Sequence, residues 1–307
     1  MAWVLSLLFL VFVLPLSHGL QTDHALHVPE GFSRVLFRDD FSGSSNGTLP
    51  SAAKWSIAVG TSYPGGPPHW GTGEVQTYTK DESNIRVTDE GTLLITPTRQ
   101  TDGTWNSSRL ETTAAWDFGC RPDRRLRVEA RIKLGDDAQE KQQGIWPAFW
   151  ALGSVFRGHV WTWPSVGEVD IMESANGETM MRHALHCGFA PGGPCNEFSG
   201  INSVTQSVAR GEWHVFAWEI DRRPGKNREV MSWIIDGVQR WTVDKSAVKS
   251  ESAWKILVEG DKMLLLDVAV GGALPNALAQ ATTPSNATIG GRGAGMEVDY
   301  VAVYEGK

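Results

Sequence analysis

Residues 167–173 run Gly-Glu-Val-Asp-Ile-Met-Glu, an acidic segment in which charged and hydrophobic side chains alternate at its start. Side chains of a β-strand point alternately to two faces, so Glu168 and Asp170 share one face while the intervening Val and Ile occupy the other. Glu173 falls on the apolar face of a regular strand, but a one-residue β-bulge near Met172 returns it to the acidic face. The segment therefore predicts a bulged strand with three acids on one face.

Three uses of this acidic face are open. Two glutamates on a concave sheet can converge to the roughly 5–5.5 Å that a double-displacement glycosidase needs. An acidic edge strand in solvent would show the same spacing. A metal site with His183 and His186 is the third, although calcium loops usually interleave Asp with Gly rather than with Val, Ile and Met. The flat rings of nearby tryptophans suit sugar faces and favour the first use; they are Trp146, Trp150, Trp161 and Trp163.

Strand-like segments recur along the chain, bounded by Gly, Pro, Asn and Asp. They cover residues 84–98, 125–135, 168–174, 213–221, 230–244, 263–272 and 296–304. Asp89-Glu90-Gly91 and Asp236-Gly237 are typical hairpin turns. Because amphipathic helical patterns are scarce, the segments predict an all-β sandwich in one domain. The Gly- and Pro-rich stretches 60–73 and 190–194 are predicted loops, and the first could line a cleft.

The charge balance restricts the classes of partner. The chain has 28 basic and 35 acidic side chains, a net charge of −7. Nucleic acids and anionic membrane surfaces require a basic face, so neither is expected as the main partner. The aromatic residues are 14 Trp, 11 Phe and 4 Tyr, an excess of indole that is compatible with carbohydrate binding.

The N-terminus is typical of a secretory signal. Residues 3–15 form an uncharged apolar run that is too short to span a bilayer, and small residues follow it. We expect cleavage after Gly19, which leaves residues 20–307 as a secreted domain without a membrane anchor. Three glycosylation sequons, at Asn46, Asn106 and Asn286, agree with this route.

The cysteines are Cys120, Cys187 and Cys195. A turn-forming GFAPGGP stretch separates the last two, so a small-loop disulfide between Cys187 and Cys195 is expected in an oxidising compartment. Cys120 would then remain unpaired. The alternative is that all three are reduced and buried.

Residues 163–173, WPSVGEVDIME, closely resemble the active-site signature of glycoside hydrolase family 16 in its bulged, laminarinase-like form. Flanking segments extend the resemblance, in part to a fungal branch of the family: residues 128–133, 145–150, 183–197, 267–272 and 296–301. The resemblance implies a concanavalin A-like β-jelly-roll sandwich with a substrate cleft across its concave sheet.

The resemblance also implies roles for the three acids. Glu168 would be the nucleophile that forms a covalent glycosyl-enzyme. Glu173 would protonate the leaving oxygen and later deprotonate the attacking water. Asp170 would hydrogen-bond the nucleophile and adjust both glutamates, a role that fits its place on the same face.

Further residues are implied in the cleft. Trp163 and His186 match family positions beside the sugars, with a core position as the alternative for Trp163. Glu74 and Gln76 lie in a segment similar to a substrate-side loop, where the family usually has Asn in place of Gly73. Arg109 could contact substrate or be a structural ion-pair partner, and Trp146 could stack on sugar or fill the core.

No cofactor is predicted. Some relatives in the family bind a structural Ca²⁺ near a terminal-strand acid like Asp299, but the sequence shows no such ligand set. The expected function is a monomeric, secreted, retaining endo-β-glucanase acting on β-1,3 or mixed β-1,3/1,4 glucan. A cell-wall glucan transglycosylase and a non-catalytic lectin-like glucan-binding protein are the alternatives.

Overall fold

The computed structural model describes residues 28–223 and 229–307, except for the side chains of Thr205 and Gln206. The predicted leader, residues 1–19, lies outside the described residues. The strands of the described chain are Arg34–Asp39 (β1), Trp55–Ala58 (β2), Gln76–Tyr78 (β3), Ile85–Val87 (β4), Leu93–Ile95 (β5), Thr98–Arg99 (β6), Trp105–Ser107 (β7), Arg109–Thr112 (β8), Arg125–Leu134 (β9), Ile145–Gly153 (β10), Glu168–Glu173 (β11), Met180–His186 (β12), Ile201–Ser207 (β13), Trp213–Asp221 (β14), Val230–Ile235 (β15), Val238–Asp244 (β16), Lys262–Val270 (β17) and Met296–Gly306 (β18). The α-helices are Lys245–Val248 (α1), Glu251–Glu259 (α2) and Ala273–Ala279 (α3).

Two antiparallel sheets form a sandwich. The back sheet has the order β16-β15-β14-β9-β18-β5-β4, and β1 also pairs with β18. The site sheet, which carries the acidic strand β11, has the order β13-β12-β11-β10-β17-β8-β2. A small third sheet, β3-β7-β6, includes a parallel pair between β3 and β7. The predicted all-β sandwich is confirmed.

Alternation along the strands determines what the sandwich buries. On β9, Leu126, Val128 and Ile132 point into the core, whereas Arg127 and Arg131 form ion pairs on the opposite face. One continuous hydrophobic cluster contains side chains from both sheets. Each large aliphatic side chain buried there contributes about 1.5–3 kcal/mol to folding. The core between the sheets therefore fixes which face of β11 is left for the acids.

Both predicted hairpins are present. β4 and β5 pair on either side of Asp89-Glu90-Gly91, and β15 and β16 pair around Asp236-Gly237. Asp236 and Gly237 have φ values of 51° and 76°. Two consecutive positive φ angles make a turn whose twist matches that of the flanking strands, so the Asp-Gly pair is well suited to this position.

Helix α2 was not expected from the sequence. The Ser250 hydroxyl accepts a hydrogen bond from the Ala253 amide and so caps the first turn. Trp254 and Leu257 on one side of the helix are buried. Its short length explains why the helical pattern was missed, because two apolar turns resemble a buried strand segment.

The expected disulfide between Cys187 and Cys195 is confirmed, with Cα atoms 5.3 Å apart, and Cys120 is a free, buried thiol. Among residues 28–223 and 229–307, no helix has the length and apolar content needed to cross a bilayer.

Candidate active site

A β-bulge on β11 brings the three acids to one face. Against β12, Glu168 lies opposite His186 and Asp170 opposite Ala184, but Glu173 lies opposite Arg182. Between the last two of these pairs, two residues of β11, Ile171 and Met172, thus lie opposite one residue of β12, His183. The bulge predicted near Met172 is therefore confirmed, and its consequence is that Glu173 faces away from the core. We call Glu168, Asp170 and Glu173 the acidic row.

The core side of β11 holds the row in place. Val169, Ile171 and Met172 are fully buried, and the backbone carbonyl of Asp170 accepts a hydrogen bond of 2.8 Å from the Trp233 indole of the back sheet. A slip of this strand by one residue would expose those apolar side chains and bury the acids. The packing of the sandwich therefore positions the acidic row.

Trp146 on β10 contacts the acidic row directly. Its Nε1–H donates a hydrogen bond of 2.8 Å to Glu173 Oε1. The sequence left open whether this ring stacks on sugar or fills the core, and the structure adds a third role, that of holding one oxygen of Glu173.

His186 lies at the end of β12 beside Glu168 and Asp170. Its Nε2 is 3.3 Å from Asp170 Oδ2 and 4.0 Å from Glu168 Oε1, and its Nδ1 is 2.7 Å from Glu197 Oε2. Burial alone would lower the pKa of His186, but the hydrogen bonds with Asp170 and Glu197 raise it to about 11. These two hydrogen bonds favour the imidazolium form of the ring.

Both glutamates of the acidic row hold protons more tightly than free carboxyl groups. Burial, and then the charge of Asp170, raise the pKa of Glu168 and of Glu173. His186 opposes this effect at Glu168. A pair of this kind can keep one carboxyl protonated and the other ionised, which is the condition for one acid and one nucleophile in the same site.

The hydrogen bonds around His186 disfavour a metal ion at this donor set. Ligand atoms of Glu168, Asp170 and His186 lie within 4.8 Å of one another. A protonated imidazole, however, has no lone pair to offer a cation. Asp299, the position considered for calcium, accepts a hydrogen bond of 2.8 Å from the Arg131 guanidinium, whose positive charge opposes a second cation there.

An aromatic wall borders His186. The Trp163 ring is half-buried, with its centroid 5.6 Å from that of the His186 ring. Phe198 stacks on Trp163 at 6.2 Å and is 68 % exposed. Phe198 was missed in the sequence, because nothing in the local pattern distinguishes an exposed loop Phe from any other.

Two predicted substrate residues lie instead in a buried cluster. Gln76 is fully buried, donates to Glu74 Oε2 at 2.6 Å and accepts from the Val270 amide at 2.8 Å. Its predicted position in contact with sugar is therefore corrected: Gln76 points into the protein because β3 is covered on that face. Glu74 is 5 % exposed and also accepts hydrogen bonds from Thr72 and Tyr78.

Asp267 on β17 completes this cluster, which we call the buried network. Its Oδ2 is 3.1 Å from the Tyr78 hydroxyl, and its Oδ1 accepts a hydrogen bond of 2.7 Å from the Trp150 indole. Burial, and then a neighbouring acid, raise the pKa of Glu74, and burial raises that of Asp267. The network thereby orients Trp150, which is half-buried on the same sheet.

Arg109 lies within the buried network. It is 6 % exposed, its guanidinium lies 4.7–5.2 Å from the ring centroids of Tyr63, Trp70 and Trp150, and it donates a hydrogen bond of 3.0 Å to the Tyr63 hydroxyl. Of the two roles considered from the sequence, this enclosure favours the structural one. Arg109 holds aromatic rings together and supplies positive charge near Glu74 and Asp267.

Comparisons with known proteins agree on the family. The model of the XgeA-like, catalytic GH16 domain matches residues 138–210, which include the acidic row and His186. The crystal structure of an endo-1,3-β-glucanase from Streptomyces sioyaensis is 40 % identical, covers 92 % of this chain and 99 % of its own, and superposes with a TM-score of 0.85. The expected jelly-roll sandwich is thus confirmed.

Two of the curated relatives are much longer proteins. The clotting factor G alpha subunit of Tachypleus tridentatus is 25 % identical over 89 % of this chain and 34 % of its own length. The glucan endo-1,3-beta-glucosidase A1 of Niallia circulans is 27 % identical over 94 % of this chain and 40 % of its own. The chain therefore spans about a third to two fifths of the length of these two relatives.

Proposed function

The chain belongs to glycoside hydrolase family 16, and we propose that it is an endo-1,3-β-glucanase that hydrolyses its substrate with retention of configuration. The observation that carries this proposal is the bulged strand β11, which places Glu168, Asp170 and Glu173 on one face beside His186. An acidic strand in solvent would not bury its acids, and these side chains are largely enclosed, with Glu168 14 % exposed.

The proposed reaction has two displacements. Glu168 attacks the anomeric carbon while the bond to the leaving oxygen breaks, and Glu173 transfers its proton to that oxygen. A water molecule then attacks the anomeric carbon of the glycosyl-enzyme, Glu173 takes a proton from it, and the bond to Glu168 breaks. Both glutamates end in their starting protonation states, so the cycle closes.

The electrostatics support this division of roles. Burial and the charge of Asp170 raise the pKa of Glu168 to about 8, and the positive charge of His186 acts against this rise. Glu173 lies beyond the bulge, where burial and the charge of Asp170 favour its protonated form. Ionised Glu168 and protonated Glu173 are the states that the first displacement requires.

The proposed substrate is a β-1,3-linked glucan, with mixed β-1,3/1,4 glucan as a second substrate. Support for the linkage comes from the similarity to the endo-1,3-β-glucanase of Streptomyces sioyaensis. Trp163, Phe198 and Trp150 supply partly accessible aromatic faces on the acidic side of the sheet, and such faces suit the apolar face of glucose.

The test is hydrolysis of laminarin and barley glucan followed by anomeric NMR. Wild type should release products with the β configuration first. Glu168→Gln should lower kcat/KM by roughly 10⁴-fold or more, because the amide cannot act as the nucleophile that forms the covalent intermediate. Glu90→Gln, at an exposed hairpin position, is the matched control and should act as wild type does.

Three results would contradict the proposal. An α product would exclude retention, and normal activity of Glu168→Gln would exclude its role. Measurable glucan binding without turnover would indicate the lectin-like alternative. Products longer than the substrate, detected by mass spectrometry, would indicate glycosyl transfer in place of hydrolysis.

We also propose that the protein is secreted, glycosylated and monomeric. The apolar N-terminal run, the Cys187–Cys195 disulfide and the exposed Asn46 and Asn286 support this route, while Asn106 is half-buried on β7. Protein isolated from a eukaryotic culture medium should begin at Leu20 and lose mass on treatment with an N-glycosidase. Retention in the cell, or an unprocessed N-terminus, would contradict the proposal.

A further inference from the structure

A short loop anchored by the disulfide surrounds His186. This tethered loop, residues 187–200, contains both cysteines and returns the chain to β13. Three of its residues contact the aromatic and acidic side chains of the site. Glu197 bonds His186, Phe198 stacks on Trp163, and Gly200 packs on the His186 ring.

The Glu197 carboxylate has a fixed orientation. Its side chain is fully buried, Oε1 accepts a hydrogen bond of 2.8 Å from the Cys187 amide, and Oε2 lies 2.7 Å from His186 Nδ1. The Cys187 amide can only donate, so its hydrogen bond fixes Oε1 and leaves Oε2 for His186. The remaining oxygen faces Nδ1, and an ionised carboxylate can only accept, so Nδ1 must carry a hydrogen.

The other ring nitrogen also faces acceptors. Nε2 is 3.3 Å from Asp170 Oδ2 and 4.0 Å from Glu168 Oε1. The ring is held in this orientation by the contact of 2.7 Å between Nδ1 and Glu197 Oε2, and the Trp163 ring lies beside it, 5.6 Å away between ring centroids. Nε2 therefore also needs a hydrogen, and a ring with hydrogens on both nitrogens is an imidazolium.

We propose that Glu197 is a positioning residue that holds His186 as an imidazolium, with Nε2–H directed at Asp170 and Glu168. The inference rests on the proposed function for its effect on the reaction. Through His186, Glu197 supplies a fixed positive charge beside the nucleophile. That charge favours ionised Glu168 in a site crowded with acids.

The charges around His186 agree with this role. Glu168, Asp170 and Glu173 face it from β11, and Glu197 faces it from the tethered loop. The cation thus offsets part of the mutual repulsion of four carboxyl groups. His186 lowers the pKa of Glu168, while Glu197 itself raises it by a smaller amount.

A second histidine of the protein has the same local arrangement. Asp236 Oδ1 accepts a hydrogen bond of 2.8 Å from the Val215 amide, and Oδ2 lies 2.7 Å from His214 Nδ1. His214 Nε2, however, lies 3.1 Å from the Ala209 carbonyl on the back-sheet side. The pair lies on the sheet that does not carry the acidic row, so Asp236→Asn is a matched control for any change at Glu197.

The decisive variant is Glu197→Gln, which keeps size and shape. The Cys187 amide still requires an acceptor, so it orients the amide oxygen toward itself and leaves the NH₂ group facing Nδ1. Nδ1 must then accept, and His186 becomes a neutral ring with its hydrogen on Nε2. Glu197→Asp keeps the charge, and is expected to keep the imidazolium.

Histidine ring ¹⁵N NMR at pH 7 provides a readout that does not depend on activity. Wild type and Asp236→Asn should show His186 with both nitrogens protonated, and Glu197→Gln should show the neutral form; His186→Gln assigns the signal. In parallel, kcat/KM on laminarin should fall about 10- to 100-fold in Glu197→Gln at neutral pH. The acid limb of its pH profile should move to higher pH, because Glu168 loses the adjacent cation.

Several outcomes would overturn the proposal. A neutral His186 in wild type would do so without any variant, and so would an imidazolium that persists in Glu197→Gln. An activity loss with an unchanged pH profile and a lower Tm would show a merely structural role. If wild type cleaves no β-glucan, the proposed function fails, but the NMR result still decides whether Glu197 holds the ring charged.

Discussion

The acidic row and the buried network are two groups of acids on the same half of the molecule, and they differ in how their oxygens are used. Both oxygens of Glu74 and both of Asp267 accept hydrogen bonds within the protein. Within residues 28–223 and 229–307, by contrast, Glu168 accepts no hydrogen bond shorter than 3.5 Å and Glu173 accepts one, from Trp146.

The difference separates acids that build the fold from acids that react. A buried carboxyl group with all its oxygens partnered stabilises its neighbours and has no free lone pair for chemistry. A buried carboxyl group with unpartnered oxygens costs stability, and proteins retain such groups where a substrate supplies the missing contacts. This criterion supports the roles proposed for Glu168 and Glu173 and places Glu74 in the scaffold.

The largest expected effect on stability is the loss of Asp267. Asp267→Ala leaves the Trp150 indole and the Tyr78 hydroxyl without this acceptor, so the free energy of unfolding should fall by about 3 kcal/mol. Asp267→Asn, the matched control, can still accept from Trp150 and should lose less than half as much. Denaturant unfolding measures both, and equal losses would show that charge, rather than hydrogen bonding, stabilises the network.

A smaller change in stability, an increase rather than a loss, is expected when Glu168 is replaced. Because its pKa is raised in the folded state, folding favours the protonated form, and wild-type stability decreases as pH rises above the ordinary pKa of 4.5. Glu168→Gln removes this cost. Its Tm should equal that of wild type near pH 4 and exceed it by roughly 2–5 °C at pH 8.

Thermal unfolding across this pH range tests the assignment. The Tm of Glu90→Gln, a change at an exposed residue, should equal that of wild type at every pH. A Glu168→Gln protein that is less stable than wild type at pH 8 would place Glu168 with the structural acids and abolish the distinction between the two groups.

The smallest effect is expected at Trp146. Trp146→Phe removes the single hydrogen bond to Glu173 and should lower kcat/KM about fivefold, the value of one such bond. Since that bond lowers the pKa of Glu173, its loss should move the alkaline limb of the pH profile upward. An alkaline limb that moves downward would contradict the assignment of Glu173 as the acid.

Much of the site was predictable because it is local. The bulge, the shared face of the three acids and the two hairpins depend on residues that are adjacent in the chain, so alternation and turn chemistry suffice. The disulfide joins cysteines eight residues apart, across a stretch of glycine and proline that can turn. The resemblance of residues 163–173 to the family signature is likewise contained in one short stretch of the chain.

The sequence by itself determined the strand pattern, the bulged acidic strand and the chemical class of the site. Only the tertiary structure decided which acids are partnered: Tyr78 meets Asp267 across 189 positions, and Trp146 meets Glu173 across 27. The tertiary structure also determined that Gln76 is buried and that Glu197 contacts His186. The physical reason is that side-chain alternation is fixed along a strand, whereas hydrogen-bond partners are chosen by the order of strands in the sheets and by the path of the loops between them.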